Sequence, residues 1–139
     1  DVYKRQGYND EDYADRSFIT RVPRLGNPDI ILIFGGINDN WADTPIGEYK
    51  YGDFKRADLY TYRPALAKLI ELAQEHYPNV TLYFIISDDL KTEIVESTKV
   101  VCEHYGIKYV QLQGIEKESG HPTVKGMETI ANQVLTLIK

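Results

Sequence analysis

The stretch IILIFGG, residues 30–36, constrains the fold more than any other part of the chain. Residues 30–34 are β-branched, aromatic or Leu throughout, so both faces of a strand built from them are apolar. That pattern suits an interior parallel strand covered by helices on each side. The run stops at Gly35-Gly36, where positive φ or a close backbone approach costs little, and Asn38 and Asp39 follow at once. In open α/β sheets ligands bind at the carboxyl ends of the strands, so Asn38 is expected where chemistry is done.

Two further apolar runs, at 80–86 (VTLYFII) and 107–112 (IKYVQL), make three predicted strands with 29–34. Helical segments alternate with them. The first is expected from Tyr62-Arg63-Pro64, with Pro64 in its opening turn and Leu66, Leu69, Ile70 and Ala73 on one face, ending before Pro78. The second spans 92–105, turns Ile94, Val101 and Cys102 inward and is capped by Gly106. The third starts at Pro122 and sets Met127, Ile130, Ala131, Val134, Leu135 and Ile138 at helical spacing. Strands separated by helices predict a parallel sheet in a three-layer α/β/α sandwich of flavodoxin-like type.

The chain has 139 residues, of which 42% are hydrophobic, enough for one domain over 1–139 with a real core. Residues 1–28 read as a polar leader and connection. A net charge of -5 argues against a sequence-independent hold on nucleic acid or an anionic membrane, both of which need clustered Lys and Arg. Cys102, the single cysteine, excludes an internal disulfide and a multi-cysteine zinc site. No stretch approaches a membrane span of roughly 18 to 20 apolar residues. Three strands are few for such a sandwich, and residues 30–34 need neighbours on both edges. The expectation is therefore the carboxyl-terminal portion of a larger domain that lacks its first strand or strands, and that self-associates through an exposed sheet edge.

Two motifs far apart in sequence are brought to one edge by parallel topology. GIND, residues 36–39, follows a strand, and SGHPT, residues 119–123, opens the last helix. His121, held just before a helix, suits a general base at neutral pH. Asn38 offers an amide that can donate to a developing oxyanion. The connection between residues 40 and 62 is long and rich in rings, among them Trp41, Tyr49 and Tyr51. These rings either wall a sugar or acyl group or simply pack the loop onto the domain.

GGIND and GHPT resemble the third and fifth blocks of the SGNH hydrolases, also called GDSL esterases and lipases, and the likeness to a bacterial subgroup extends over nearly the whole chain. The resemblance implies an ester hydrolase acting by acyl transfer, with His121 as base and with Asn38 and Gly36 in the oxyanion hole. The family's acid, usually Asp three residues before the histidine, falls on Glu118, and Glu116 lies close enough to compete for the role. The resemblance makes the substrate a small or carbohydrate ester such as an acetyl ester, for which the loop of Trp41, Tyr49 and Tyr51 is the candidate wall if its rings do not simply pack on the domain, and no metal or organic cofactor is needed. The family's nucleophile stands in a Gly-Asp-Ser block; Ser17, Ser87, Ser97 and Ser119 are the only serines here, and none has that context. As it stands the chain is thus expected to be inactive. No compartment is assigned, and the intact protein is compatible with secretion or the periplasm.

Simpler readings cover the remaining candidates. His76 and His104 sit near helix carboxyl ends, where a cation complements the dipole. Asp88 and Asp89 are expected to cap the helix that follows them, Asp39 to brace its loop, and Cys102 to lie in the core. Two rival functions stand beside the esterase. One is a non-catalytic α/β binding domain that keeps the pocket without the nucleophile. The other is a flavodoxin-like or receiver-like module that uses Asp88 and Asp89.

Overall fold

A computed structural model describes residues 17–139. Of the polar leader expected over 1–28, residues 1–16 therefore lie outside the described part. Three strands, β1 (Ile30–Phe34), β2 (Thr81–Ile86) and β3 (Lys108–Gln111), form a parallel sheet in the order β1-β2-β3. Each lies within one residue of its predicted limits. The helices α3 (Tyr62–His76) and α4 (Thr92–His104) connect them, and α5 (Val124–Ile138) closes the chain. Two short helices flank β1, α1 (Phe18–Arg21) before it and α2 (Ile37–Trp41) after it. A tight hairpin of β4 (Lys117–Glu118) and β5 (His121–Pro122) precedes α5.

Side chains alternate across the sheet and divide the core in two. On one face Ile31, Ile33, Leu82, Phe84 and Ile86 pack against Leu66, Leu69, Ile70 and Ala73 of α3 and Ile94, Val101 and Cys102 of α4. On the other face Ile85, Leu112 and Ile115 meet Ile130 and Val134 of α5. Helices on both faces of a parallel sheet make the expected three-layer α/β/α arrangement. Burying each large apolar side chain here is worth roughly 1.5–3 kcal/mol. Cys102 belongs to this core, where burial, with a smaller push from Glu103, raises its thiol to about 12 and leaves it protonated at neutral pH.

Two expectations need correction. Strand β1 was expected to be covered on both faces, yet Ile30, Leu32 and Phe34 remain 46%, 46% and 36% exposed. Their cross-strand partners Thr81, Tyr83 and Ile85 point to the α5 side. That helix packs on β3 and does not extend over β1. The same geometry leaves Met127 and Leu135 exposed, although both were expected on the packed face of α5. Among the described residues β1 is an edge strand.

Candidate active site

The site is assembled where β1, β2 and the β4–β5 hairpin end. After Phe34 the chain must turn sharply into α2. Gly36 makes the turn at φ 91° as the residue preceding the helix, and a Cβ there would stand 3.1 Å from the Tyr62 hydroxyl and within 3.6 Å of Leu90 and Ile94. Only glycine combines that backbone with that proximity. Asn38 is thereby fixed in the first turn of α2, half-buried, with Asp39 beneath it 1% exposed. The other end of α2 is tied down through Asn40, whose side-chain oxygen accepts from the Lys91 N–H at 2.8 Å, and through the Lys91–Asp43 ion pair.

His121 comes from the hairpin. Ser119 and Gly120 both have positive φ, 51° and 77°, and join Glu118 to His121 across a two-residue turn. That is the signature of a type I′ turn, whose twist matches the strands it links. Glu118 and His121 are direct cross-strand partners. Behind the hairpin, the Thr123 N–H donates to the Glu116 carbonyl at 3.0 Å, while its hydroxyl accepts from Gly126 N and donates to Glu116 Oε1 at 2.7 Å. Thr123 so caps α5 and locks the hairpin to its first turn. Gly126 is required there because a Cβ would run into the Glu116 carbonyl.

One cavity of about 250 Å³ collects Gly36, Asn38, Trp41 and His121 on its wall. Phe18, Phe34, Leu112, Ile115, Pro122 and Ile130 supply an apolar lining, and Ser87, Asp89 and Lys117 add polar groups. Trp41 meets His121 edge-on, with ring centroids 6.1 Å apart at 78°. The structure thus brings together Gly36, Asn38, Trp41 and His121 from opposite ends of the sequence. Glu116 and Glu118 flank the hairpin outside the cavity wall. Among the described residues neither carboxylate is hydrogen-bonded to the imidazole.

Tyr49 and Tyr51 are not brought to the cavity. The guanidinium of Arg63 lies 4.1 Å from the centre of the Tyr49 ring, and its Nε donates to Ser97 at 2.9 Å. Tyr51 stacks on His104 with centroids 3.6 Å apart and meets Tyr105 edge-on. His104 ends α4, whereas the cavity adjoins the beginning of that helix. The loop therefore spends these rings on the outer surface of α3 and α4, the packing alternative rather than the substrate wall.

Asp88 and Asp89 also depart from expectation. Neither caps α4, which begins after Lys91 without a side-chain cap. Instead Lys117 Nζ bridges them, 2.5 Å from Asp88 Oδ1 and 2.8 Å from Asp89 Oδ2. Asp88 Oδ2 accepts the Ile115 N–H at 2.9 Å, and the Ser87 hydroxyl donates to Asp89 Oδ1 at 2.8 Å. Burial alone would raise both carboxyls, but the Lys117 ammonium, with the Ile115 N–H at Asp88 and the Ser87 hydroxyl at Asp89, outweighs it and holds them below the ordinary carboxylate range. Burial likewise opposes the charge on Lys117, and the two carboxylates overcome it, raising its pKa. No local pattern in the sequence announces this cluster, since its halves lie 29 residues apart.

The four serines all have structural duties. Ser17 caps α1, Ser97 accepts from Arg63, Ser119 forms the turn and Ser87 donates to Asp89. No serine hydroxyl among the described residues is hydrogen-bonded to His121. Nor do three His, Cys, Asp or Glu side chains of the described part gather where a metal ion could sit. No described helix is long and apolar enough to cross a membrane.

The family model for GDSL-like lipases and acylhydrolases matches residues 2–138. The chain belongs to this family. A solved protein from Bacteroides ovatus, named a GDSL-like lipase, is 49% identical and superposes with a TM-score of 0.91 over 98% of this chain. One from Bacteroides uniformis with the same name is 46% identical, with a TM-score of 0.90 over 96%. A Lactobacillus plantarum structure, 20% identical with a TM-score of 0.79, shares the fold. The chain spans 66% and 63% of the two Bacteroides proteins. None of the curated proteins matches it.

Proposed function

We propose that this GDSL-family chain supplies the general base and the oxyanion-binding groups of a serine esterase acting on a small or carbohydrate ester. The observation that carries the reading is that Gly36, Asn38 and His121 line one cavity at the carboxyl edge of a parallel sheet. The attacking serine would come from the family's Gly-Asp-Ser block, which this sequence does not contain. His121 takes the hydroxyl proton as the serine oxygen bonds to the ester carbonyl carbon, and returns it to the alcohol as the acyl–oxygen bond breaks. The Asn38 amide and the Gly36 N–H donate to the carbonyl oxygen as it becomes negative. Water then repeats the sequence on the acyl-enzyme. Glu118, directly across the hairpin from His121, is the better placed of the two carboxylates to orient the imidazole, because Glu116 is engaged by Thr123. Directly paired strand residues have Cβ atoms about 4.5–5.5 Å apart, within reach of a Glu side chain.

A non-catalytic binding domain is the second reading, favoured by the absence of any serine–His121 hydrogen bond among the described residues. Hydrolysis of p-nitrophenyl acetate by protein expressed from its complete reading frame separates the two. The esterase reading expects turnover that falls about a hundred- to a thousandfold in Asn38→Ala and at least as far in His121→Ala. An inert protein whose complete frame encodes no Gly-Asp-Ser block overturns it.

A further inference from the structure

The geometry points to Lys117 as a positioning residue that sets His121 against the cavity by clamping its hairpin to the end of β2. The inference rests on the esterase reading only for its consequence in catalysis. Its structural half stands on the contacts alone.

The hairpin is short and its outer turn is exposed. Each of its strands has two residues, and Glu118, Ser119, Gly120 and His121 are all exposed. A hairpin of that size cannot hold itself in water, so its orientation must come from tertiary contacts. One anchor is Thr123, which fixes the hairpin to α5. A second is Trp41, packed on the His121 ring and facing Gly120. Lys117 is the third, and the only one of the three that reaches β2. Its side chain is 18% exposed, and its ammonium lies between Asp88 and Asp89, the second and third residues after Ile86.

Three features separate this cluster from an ordinary surface ion pair. It is mostly shielded from water at Lys117 and Asp88, both 18% exposed. It is also doubly tied, since Asp88 holds the backbone of the incoming chain at Ile115 as well as the Lys117 side chain. Finally, it borders the same cavity as His121, with Ser87, Asp89 and Lys117 on its wall. Lys117 stands opposite Pro122, the residue after His121, so any swing of the hairpin that moves the imidazole must stretch this bridge. A catalytic group displaced by about 1 Å can cost on the order of a hundredfold in rate.

The experiment compares the 139-residue chain with its Lys117→Met and Lys117→Arg variants, reading amide hydrogen exchange residue by residue and the nuclear Overhauser contact between the Trp41 and His121 rings. Lys117→Met is expected to speed exchange at 117–123 at least tenfold and to abolish the ring contact, with α3 and β2 unchanged. Lys117→Arg, which keeps a cation between the two carboxylates, is expected to retain most of both. If Lys117→Met fails to fold, Asp89→Asn, which weakens one arm of the bridge, is read in the same way. Hairpin exchange and ring contact unchanged in the folded variants overturn the proposal, whether or not any ester is hydrolysed. On the protein from the complete reading frame, Lys117→Met is expected to lower kcat at least tenfold with KM within about twofold, partly rescued by Lys117→Arg. A loosened hairpin with unaltered kcat refutes the catalytic half. Absence of turnover in the unmutated protein counts against the esterase reading and leaves the structural half to the exchange data.

Discussion

At Gly36 the backbone angle and the available space impose the same demand. Its φ of 91° disfavours any L side chain, and the Tyr62 hydroxyl would stand 3.1 Å from an added Cβ. Tyr62 cannot easily retreat, because it is fully buried and its hydroxyl is 2.7 Å from Thr98 Oγ1, which in turn donates to the Ile94 carbonyl. Burial also raises the Tyr62 phenol well above its ordinary value, so it stays neutral there. Gly36→Ala is therefore expected to destabilise the fold by about 1–3 kcal/mol, seen as a lower urea midpoint with unchanged slope; a change within about 0.5 kcal/mol, the range of an ordinary surface substitution, would show the turn to be unstrained. Gly35-Gly36 was legible as a place for special backbone because few other residues allow it. That Tyr62 presses on it was not, since the contact joins residues 26 positions apart and depends on how α3 lies over β1. The same limit applies to Trp41, Tyr49 and Tyr51. Counting rings along a loop does not reveal that one meets His121 while the other two are held by Arg63 and His104.

Among the elements, the strands were legible almost to the residue as short continuous apolar runs and the long helices by the spacing of their apolar residues. The hairpin was less so. Its turn residues Ser119 and Gly120 carry the local signal, but the element is fixed by Lys117, Asp88 and Asp89, and ion pairs across the fold leave no period in a sequence. Their titration gives a direct check. Asp88 and Asp89 titrate below the ordinary carboxyl value when folded, so they add stability above the unfolded pKa of about 3.9, and this is lost as pH falls through the folded values. Lys117 titrates above its ordinary value, so its share is full below about 10.4 and disappears as pH rises through the folded pKa. Between those limits the bridge is intact. Replacing both acids, in Asp88→Asn/Asp89→Asn, is expected to cost on the order of 1 kcal/mol at pH 7, chiefly through Asp88, because Asp89 is 45% exposed and screened by water. The difference between this variant and the parent in urea unfolding should shrink as pH drops from 5 toward 2. A difference independent of pH would mean that the bridge contributes no charge-dependent stability.

For the whole molecule the decisive feature is the outer side of β1. Two layers close well: the α3–α4 side buries Ile31, Ile33 and Phe84, and the α5 side buries Ile85 and Leu112. Over β1 the second layer stops, leaving Ile30, Leu32 and Phe34 in contact with water beside a strand that is paired only with β2 among the described residues. The apolar run requires neighbours on both edges and cover on both faces; among the described residues it is paired on one edge only, as expected for the chain as it stands, and its outer face is open as well, because composition reports what a strand requires and not what the chain provides to cover it. An apolar strand with a free edge is a template for another strand. A second copy of the chain can satisfy it by isologous pairing, since the same edge then serves both partners. The 139-residue chain is accordingly expected to sediment as a dimer or larger at micromolar concentration, and Leu32→Lys, which places a charge on the exposed face without entering the core, to shift it toward monomer. A parent chain that sediments as a clean monomer across that range would show that the apolar face is tolerated in water, and the self-association reading would fail.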